Sequence, residues 1–322
     1  MKREAGILMP ISSLPSNQGI GDFGKHPYRF IDAISKQNIH IWQILPLNPA
    51  GYGNSPYQPY SSFAGDEIYI SLDTLADYGL IKQSSVRNFN KFSDAVDFEG
   101  VRAFKEPYFR KAYKIFLKNF HQFEKEYQLF CSTAEWLYPY AVFIVLKRKN
   151  ENKPWQEWKK EERDWIDSRQ LSLEDIEDEI KYHQFLQFIF YKQWNDIKKY
   201  AEKHHVKILG DIPFYVGLDS ADVWQYKNQF LLDENGYPSF VAGVPPDYFS
   251  ETGQRWGNPI YDWNIMKKNR YDFWMKRLAW NAQQFDIIRL DHFRAFDTYW
   301  KIPSSCPTAV EGEWSRFLSN GF

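Results

Sequence analysis

The chain has 322 residues, 43% hydrophobic content and a net charge of −1, enough apolar material for a sizeable core and no basic field to hold a polyanion. These figures argue against disorder and against nucleic-acid or anionic-membrane partners, and they point to an uncharged partner. Two distant cysteines, Cys131 and Cys306, and seven histidines without His-x-x-His or His-Glu-x-x-His spacing predict neither a disulfide framework nor a metal site.

The first strand-like stretch is "GILMPISSL" (6–14) and the second is "IHIWQILPL" (39–47), both short and nearly continuous in apolar residues. A helical pattern between them, opened by Pro27 and carried by Phe30, Ile31 and Ile34, makes a β-α-β unit. From about 73 to 205 the periodicity turns helical. Tyr108, Ala112, Ile115, Phe116, Phe120 and Phe123 form one stripe, and Tyr182, Phe185, Leu186, Ile189, Phe190 and Ile197 form another. Between the stripes, the charge-rich "KRKNENKPWQEWKKEERDW" (147–165) is expected to be solvated surface, and Ser172, three before Asp175, is expected to N-cap the next helix. The strand pattern resumes at "VKILGDIPF" (206–214) and "FDIIRLDHF" (285–293), with a helix expected over 269–284. Strands apolar on both faces and alternating with helices predict an α/β fold with a parallel sheet, doubly wound or closed as a barrel. The apolar stretch near the N-terminus is short and broken by Pro10, and no later segment approaches a membrane span, so a cytoplasmic location is expected.

"GIGDFG" (19–24) has the letters of a dinucleotide fingerprint, but its context fails. The glycines sit too far from the strand, Pro27 follows the third one, and the second strand ends without an acid for a ribose. A tight loop is the better reading.

Chemistry concentrates in "IIRLDHF". Residues two apart on a strand share a face, so Arg289 and Asp291 point the same way, and the arginine keeps its neighbour ionised. A carboxylate at the C-terminal end of a parallel strand suits a nucleophile or the stabiliser of a cationic centre, while a lone R-x-D taken by itself reads first as a structural ion pair. Asp211 ends the preceding strand, and "YGNSPYQPYSSFAGD" (52–66) follows the second one. "VAGVPPDYFSETGQRWGNPIYDW" (241–263) is long enough for a lid. Aromatic residues make up 19% of the chain, and their flat faces serve either core packing or sugar rings.

These stretches, together with "GDIPFYVGLDSADVW" and "IPSSCPTAVEGEW", resemble the 4-α-glucanotransferases called amylomaltases or disproportionating enzymes, glycoside hydrolase family 77 of the α-amylase superfamily. The resemblance covers nearly the whole chain. It implies a TIM-type (β/α)8 barrel of which about the first four β/α units are present, divided as 1–72 first barrel part, 73–205 helical insertion and 206–322 continued barrel. That last part includes the lid 241–263 and the nucleophile strand 285–293. It implies Asp291 as nucleophile and Arg289 as its electrostatic partner. Ser55, Tyr57 and Asp211 become substrate-binding residues, with Tyr57 and Asp211 bordering the transferred ring, and Asp247, Phe249 and Trp256 belong to the lid over the acceptor. His292 is left open between a structural and a binding role. The implied partners are malto-oligosaccharides and other α-1,4-glucans, with no cofactor.

A retaining mechanism needs two carboxyl groups about 5 Å apart. By the resemblance, the acid/base glutamate and a third carboxylate lie beyond Phe322, and neither Glu311 nor Glu313 takes their place. With four strands counted where a barrel needs eight, the chain is expected to be a fragment or a shortened product. Two functions follow: transfer of α-1,4-glucan segments, or glucan binding without catalysis.

Overall fold

The computed structural model describes residues 3–90 and 95–317. Among these, eight strands occur in chain order: β1 (Gly6–Leu8), β2 (Ile41–Gln43), β3 (Lys207–Ile212), β4 (Phe240–Val244), β5 (Gln254–Pro259), β6 (Ile287–Leu290), β7 (Thr298–Pro303) and β8 (Glu313–Arg316). The four expected from apolar runs form one parallel sheet in the order β1-β2-β3-β6. Trp42, Ile44, Ile208 and Ile212 lie buried in or beside it. The β3–β6 register sets Asp211 opposite Arg289, so pairing alone brings an acid and a base from distant parts of the chain to one end of the sheet.

The crossover from β1 to β2 is the helix Lys25–Lys36, which starts two residues before Pro27 and holds it inside its first turn. The "GIGDFG" segment is a tight loop. Gly19 has φ +85°, and a Cβ on Gly21 would fall 1.9 Å from the Ile11 carbonyl oxygen. Its acid is already engaged, since Asp22 Oδ1 accepts the Gly24 N–H at 3.0 Å and Oδ2 faces the buried Lys105 ammonium at 3.7 Å.

Between β2 and β3 the chain is helical, chiefly over Phe98–Lys118, Glu124–Thr133, Leu137–Lys149 and Glu177–Lys203. In the last of these every stripe residue from Tyr182 to Ile197 is buried. Two glutamines on its buried face act as backbone clamps. Gln187 exchanges two hydrogen bonds of 2.8 Å with Gly65, and Gln193 does the same with Ser71 at 2.8 and 3.1 Å. The segment leaving the 52–66 loop is thereby fixed to the helix, because buried backbone polar groups must find partners.

Three expectations need correction, and the 241–263 stretch takes a definite form. The charge-rich 147–165 stretch is a solvated face only in part: most of its polar residues are exposed, whereas Trp155, Trp158 and Trp165 fill the core and Lys147 and Glu162 are buried with them. Ser172 is not the N-cap of a helix: its Oγ accepts the Glu174 N–H at 3.4 Å one residue ahead of the cap position Leu173 of a short 3-10 turn, and the long helix starts later, at Glu177. The 241–263 stretch is an antiparallel hairpin of β4 and β5 with its tip at 245–253, since "FVAGV" and "QRWGNP" pair with each other. The C-terminal part adds β7 and β8, giving a second, antiparallel sheet in the order β5-β4-β7-β8. No single helix among the described residues is long and apolar enough to cross a membrane.

One buried acid gives the fold a pH dependence. Asp222, 2% exposed, accepts the Ser62 N–H at 2.7 Å, and burial pushes its carboxyl up to about 6 against the opposing charge of Arg277. Between about pH 4 and 6 the folded chain holds a proton that the unfolded chain has released, so this group's contribution falls as pH rises through that window, by on the order of 2–3 kcal/mol. Asp222→Asn removes this titration. The difference in melting temperature, variant minus parent, should move a few degrees in the variant's favour between pH 4.5 and 7.5, and a constant difference would contradict it.

Candidate active site

The cleft opens at the C-terminal end of the parallel sheet, where loops of an α/β fold carry function. It has a volume of about 320 Å³ and is lined by Ser55, Tyr57 and Gln58 from the loop after β2, Pro213, Phe214 and Tyr215 after β3, Trp256 and Asn258 on β5, and Asp291 and His292 after β6.

At its base Arg289 holds two carboxylates. Nη1 donates to Asp211 Oδ1 at 2.7 Å and Nη2 to Asp291 Oδ1 at 2.6 Å, and Tyr57 adds its hydroxyl to Asp211 Oδ2 at 3.0 Å. The same-face expectation for Arg289 and Asp291 is met by this bond. Burial raises the Asp211 carboxyl above its ordinary range, and the Arg289 guanidinium and the Tyr57 hydroxyl oppose that rise. Tyr57 is pushed up to about 12, first by burial and then by Asp211, so it stays a neutral donor.

His292 follows the carboxylate in a left-handed conformation, φ +49°. Its ring meets Trp256 edge to face at 5.0 Å, and its buried Nε2 has no hydrogen-bond partner among the described residues. Burial lowers its imidazole pKa although Asp291 pulls the other way, so the ring is neutral near pH 7. The β4–β5 hairpin is tied across the cleft by Gln58 Nε2 to the Trp256 carbonyl at 2.7 Å and Asn258 Nδ2 to the Val216 carbonyl at 2.8 Å.

Of the residues expected from sequence, Ser55, Tyr57, Trp256 and Asp291 line the cleft, and Arg289 and Asp211 adjoin it through their bonds to Asp291 and Tyr57. Asp247 and Phe249 do not line it. They sit at the hairpin tip, where Asp247 Oδ1 accepts the N–H groups of Phe249 and Ser250 at 2.9 Å each and Phe249 is 90% exposed. Sequence reasoning missed Gln58, Pro213, Phe214, Tyr215 and Asn258. Position just after strand β3 could have found Pro213 to Tyr215, whereas nothing local marks Asn258. Among the described residues no group of three or more His, Cys, Asp or Glu could hold a metal ion.

Residues 9–321 match the family described as 4-alpha-glucanotransferase. A 4-alpha-glucanotransferase of Synechocystis sp. is 43% identical over 97% of this chain and 63% of its own length, and one of Thermus thermophilus is 39% identical over 98% and 63%. The solved amylomaltase of Streptococcus agalactiae, in complex with acarbose, has a TM-score of 0.93 at 37% identity, over 98% of this chain and 64% of that one. The amylomaltase of Corynebacterium glutamicum, 17% identical over 98% of this chain and 44% of its own, shares the fold with a TM-score of 0.72. The chain spans about 63% of the length of these curated relatives. With a family match over almost all of its residues and an α/β architecture that superposes on a solved amylomaltase, the chain belongs to the 4-alpha-glucanotransferase family, glycoside hydrolase family 77.

Proposed function

We propose that this protein transfers α-1,4-glucan segments between malto-oligosaccharides by a retaining double displacement. The observation that carries the reading is Asp291, held by its Oδ1 on Arg289 in the lining of an aromatic-walled cleft, with Oδ2 left to attack an anomeric carbon. Arg289 and Asp211 form the charged base beneath the reacting ring, and Ser55 and Tyr57 offer it hydroxyls. Trp256 supplies an apolar face. Transfer rather than hydrolysis follows when a glucan hydroxyl reaches the glycosyl intermediate before water. In this reading β1, β2, β3 and β6 are the first four strands of a (β/α)8 barrel, 73–205 is its helical insertion, 206–322 continues the barrel, and the setting is the cytoplasm.

A second reading has one observation in its favour. Among the described residues lining the cleft, Asp291 is the one carboxylate, so the leaving oxygen has no second carboxyl group there to protonate it, and general acid help is worth about 10²–10⁴-fold. This reading is a glucan-binding unit without catalysis. Glucose release from maltotriose by protein of verified mass separates the two: steady release supports transfer, and binding without release supports the second reading.

The hairpin tip is assigned to the acceptor side as a lid. Tyr248 and Phe249 are 97% and 90% exposed and meet edge to face at 5.6 Å, an apolar pair free to cover a sugar. Phe249→Ser should raise the ratio of new reducing ends to transfer products, because less apolar cover admits more water to the intermediate. An unchanged ratio would remove Phe249 from the lid.

A further inference from the structure

Lys147 is a buried cation that lies outside the cleft lining. Its side chain is 3% exposed, in the last turn of the helix Leu137–Lys149. Burying an ammonium is costly unless its N–H groups are met, and here they are. Nζ lies 2.5 Å from Asp219 Oδ2, 3.0 Å from the Asn152 carbonyl and 3.2 Å from the Lys153 carbonyl, with the Tyr60 ring centroid at 5.1 Å. The turn that supplies the two carbonyls is bent for it, since Glu151 and Asn152 both take left-handed backbone, φ +56° and +61°.

The partners lead to the cleft. Tyr60 ends the loop that carries Ser55, Tyr57 and Gln58, and Asp219 ends the segment that carries Pro213, Phe214 and Tyr215. The two are also stitched to each other: Ala221 N–H donates to the Tyr60 carbonyl at 2.8 Å, and Gly217 packs against the Pro59 backbone so closely that a Cβ would stand 2.9 Å from its oxygen. Trp155, just past the turn, adds an indole N–H to the Leu218 carbonyl at 2.9 Å and its backbone N–H to Asp219 Oδ1 at 3.3 Å. A single side chain of the helical segment thus meets the ends of two cleft walls.

We propose that Lys147 is a positioning residue for substrate: its ammonium, shared between Asp219 and the Tyr60 ring, fixes the walls of 52–60 and 213–220 in register so that one sugar ring contacts both. The effect on turnover rests on the transferase reading above, and the effect on the walls does not.

The test is hydrogen–deuterium exchange and maltotriose kinetics on the full protein, comparing the parent with Lys147→Met and Asp219→Asn. In Lys147→Met, exchange should quicken in both 52–60 and 213–220 while the helices Phe98–Lys118 and Glu177–Lys203 keep the parent's protection. The value of kcat/KM should fall about tenfold, mostly through KM, since misplaced walls weaken binding of the ring. Asp219→Asn keeps a hydrogen-bond acceptor, so it should show the same pattern more weakly, and it decides the matter if the methionine variant does not fold. The double variant should be no worse than Lys147→Met alone, because the two groups act as a unit. Exchange that quickens only in 150–155, in one wall alone, or nowhere overturns the proposal. A parent that releases no glucose would sink the transferase reading, and the exchange result would still decide the role of Lys147.

Discussion

Asp291→Asn is expected to lower glucan transfer by about four to six orders of magnitude while leaving maltotriose binding within about threefold of the parent. Asparagine keeps the shape of the side chain, and its amide oxygen can accept the same Arg289 Nη2–H bond that Asp291 Oδ1 accepts at 2.6 Å. The base of the cleft therefore stays assembled, with Tyr57 and Arg289 still on Asp211. What is lost is the anionic oxygen, and an amide cannot form the glycosyl ester on which a double displacement depends. Calorimetric binding beside single-turnover glucose release measures both halves. Near-parental turnover in the variant would reduce Asp291 to one partner of an ion pair and end its assignment as nucleophile.

That ion pair was legible in the sequence because its cause is local. Residues two apart on a strand share a face, so Arg289 and Asp291 had to meet, and the apolar runs around Ile208 and Ile288 marked the strands that carry Asp211 and Arg289. Parallel pairing then did the rest, setting Asp211 opposite Arg289 across a gap of many residues. The cleft's other walls depend on contacts that no short window contains. Asn258 reaches the cleft only because β5 folds back on β4 and its amide bonds Val216, and "GQRWGNP" read alone looks like loop. The same holds for β7 and β8, whose register brings Trp300 opposite Trp314 as a cross-strand aromatic pair at 5.3 Å, a match that neither segment announces by itself. In 147–165 the dense charges hid the tryptophans. Trp155, Trp158 and Trp165 are buried beneath a polar exterior, and each indole N–H there is answered by a backbone carbonyl, of Leu218, Lys153 and Leu171.

Arg289 carries the second large effect, because among the described residues it is the cation that serves both carboxylates. The Asp211 side chain is 1% exposed and its remaining polar contact is the Tyr57 hydroxyl, so Arg289→Met leaves a buried carboxylate without its charge partner. Burial already raises the Asp211 carboxyl, and Arg289 is the larger of the influences that hold it down. Removing the guanidinium lifts that carboxyl further, so proton uptake moves to higher pH and the acid limb of the transfer profile should shift toward neutrality. Stability should change in the matching sense. Once protonated, the acid needs no cation, whereas the bare carboxylate at higher pH does, so the variant's deficit in melting temperature should grow as pH rises. Transfer itself should fall about 10³-fold at neutral pH, through the loss of preorganised charge beneath the reacting ring and of the contact that aims Asp291. Arg289→Lys should recover part of the rate and little of the geometry, since a single ammonium cannot present two separate N–H groups to two carboxylates in the fixed plane that Arg289 does. A loss of activity and stability equal at pH 5 and pH 8 would show that Arg289 acts through packing and not through its charge on Asp211 and Asp291.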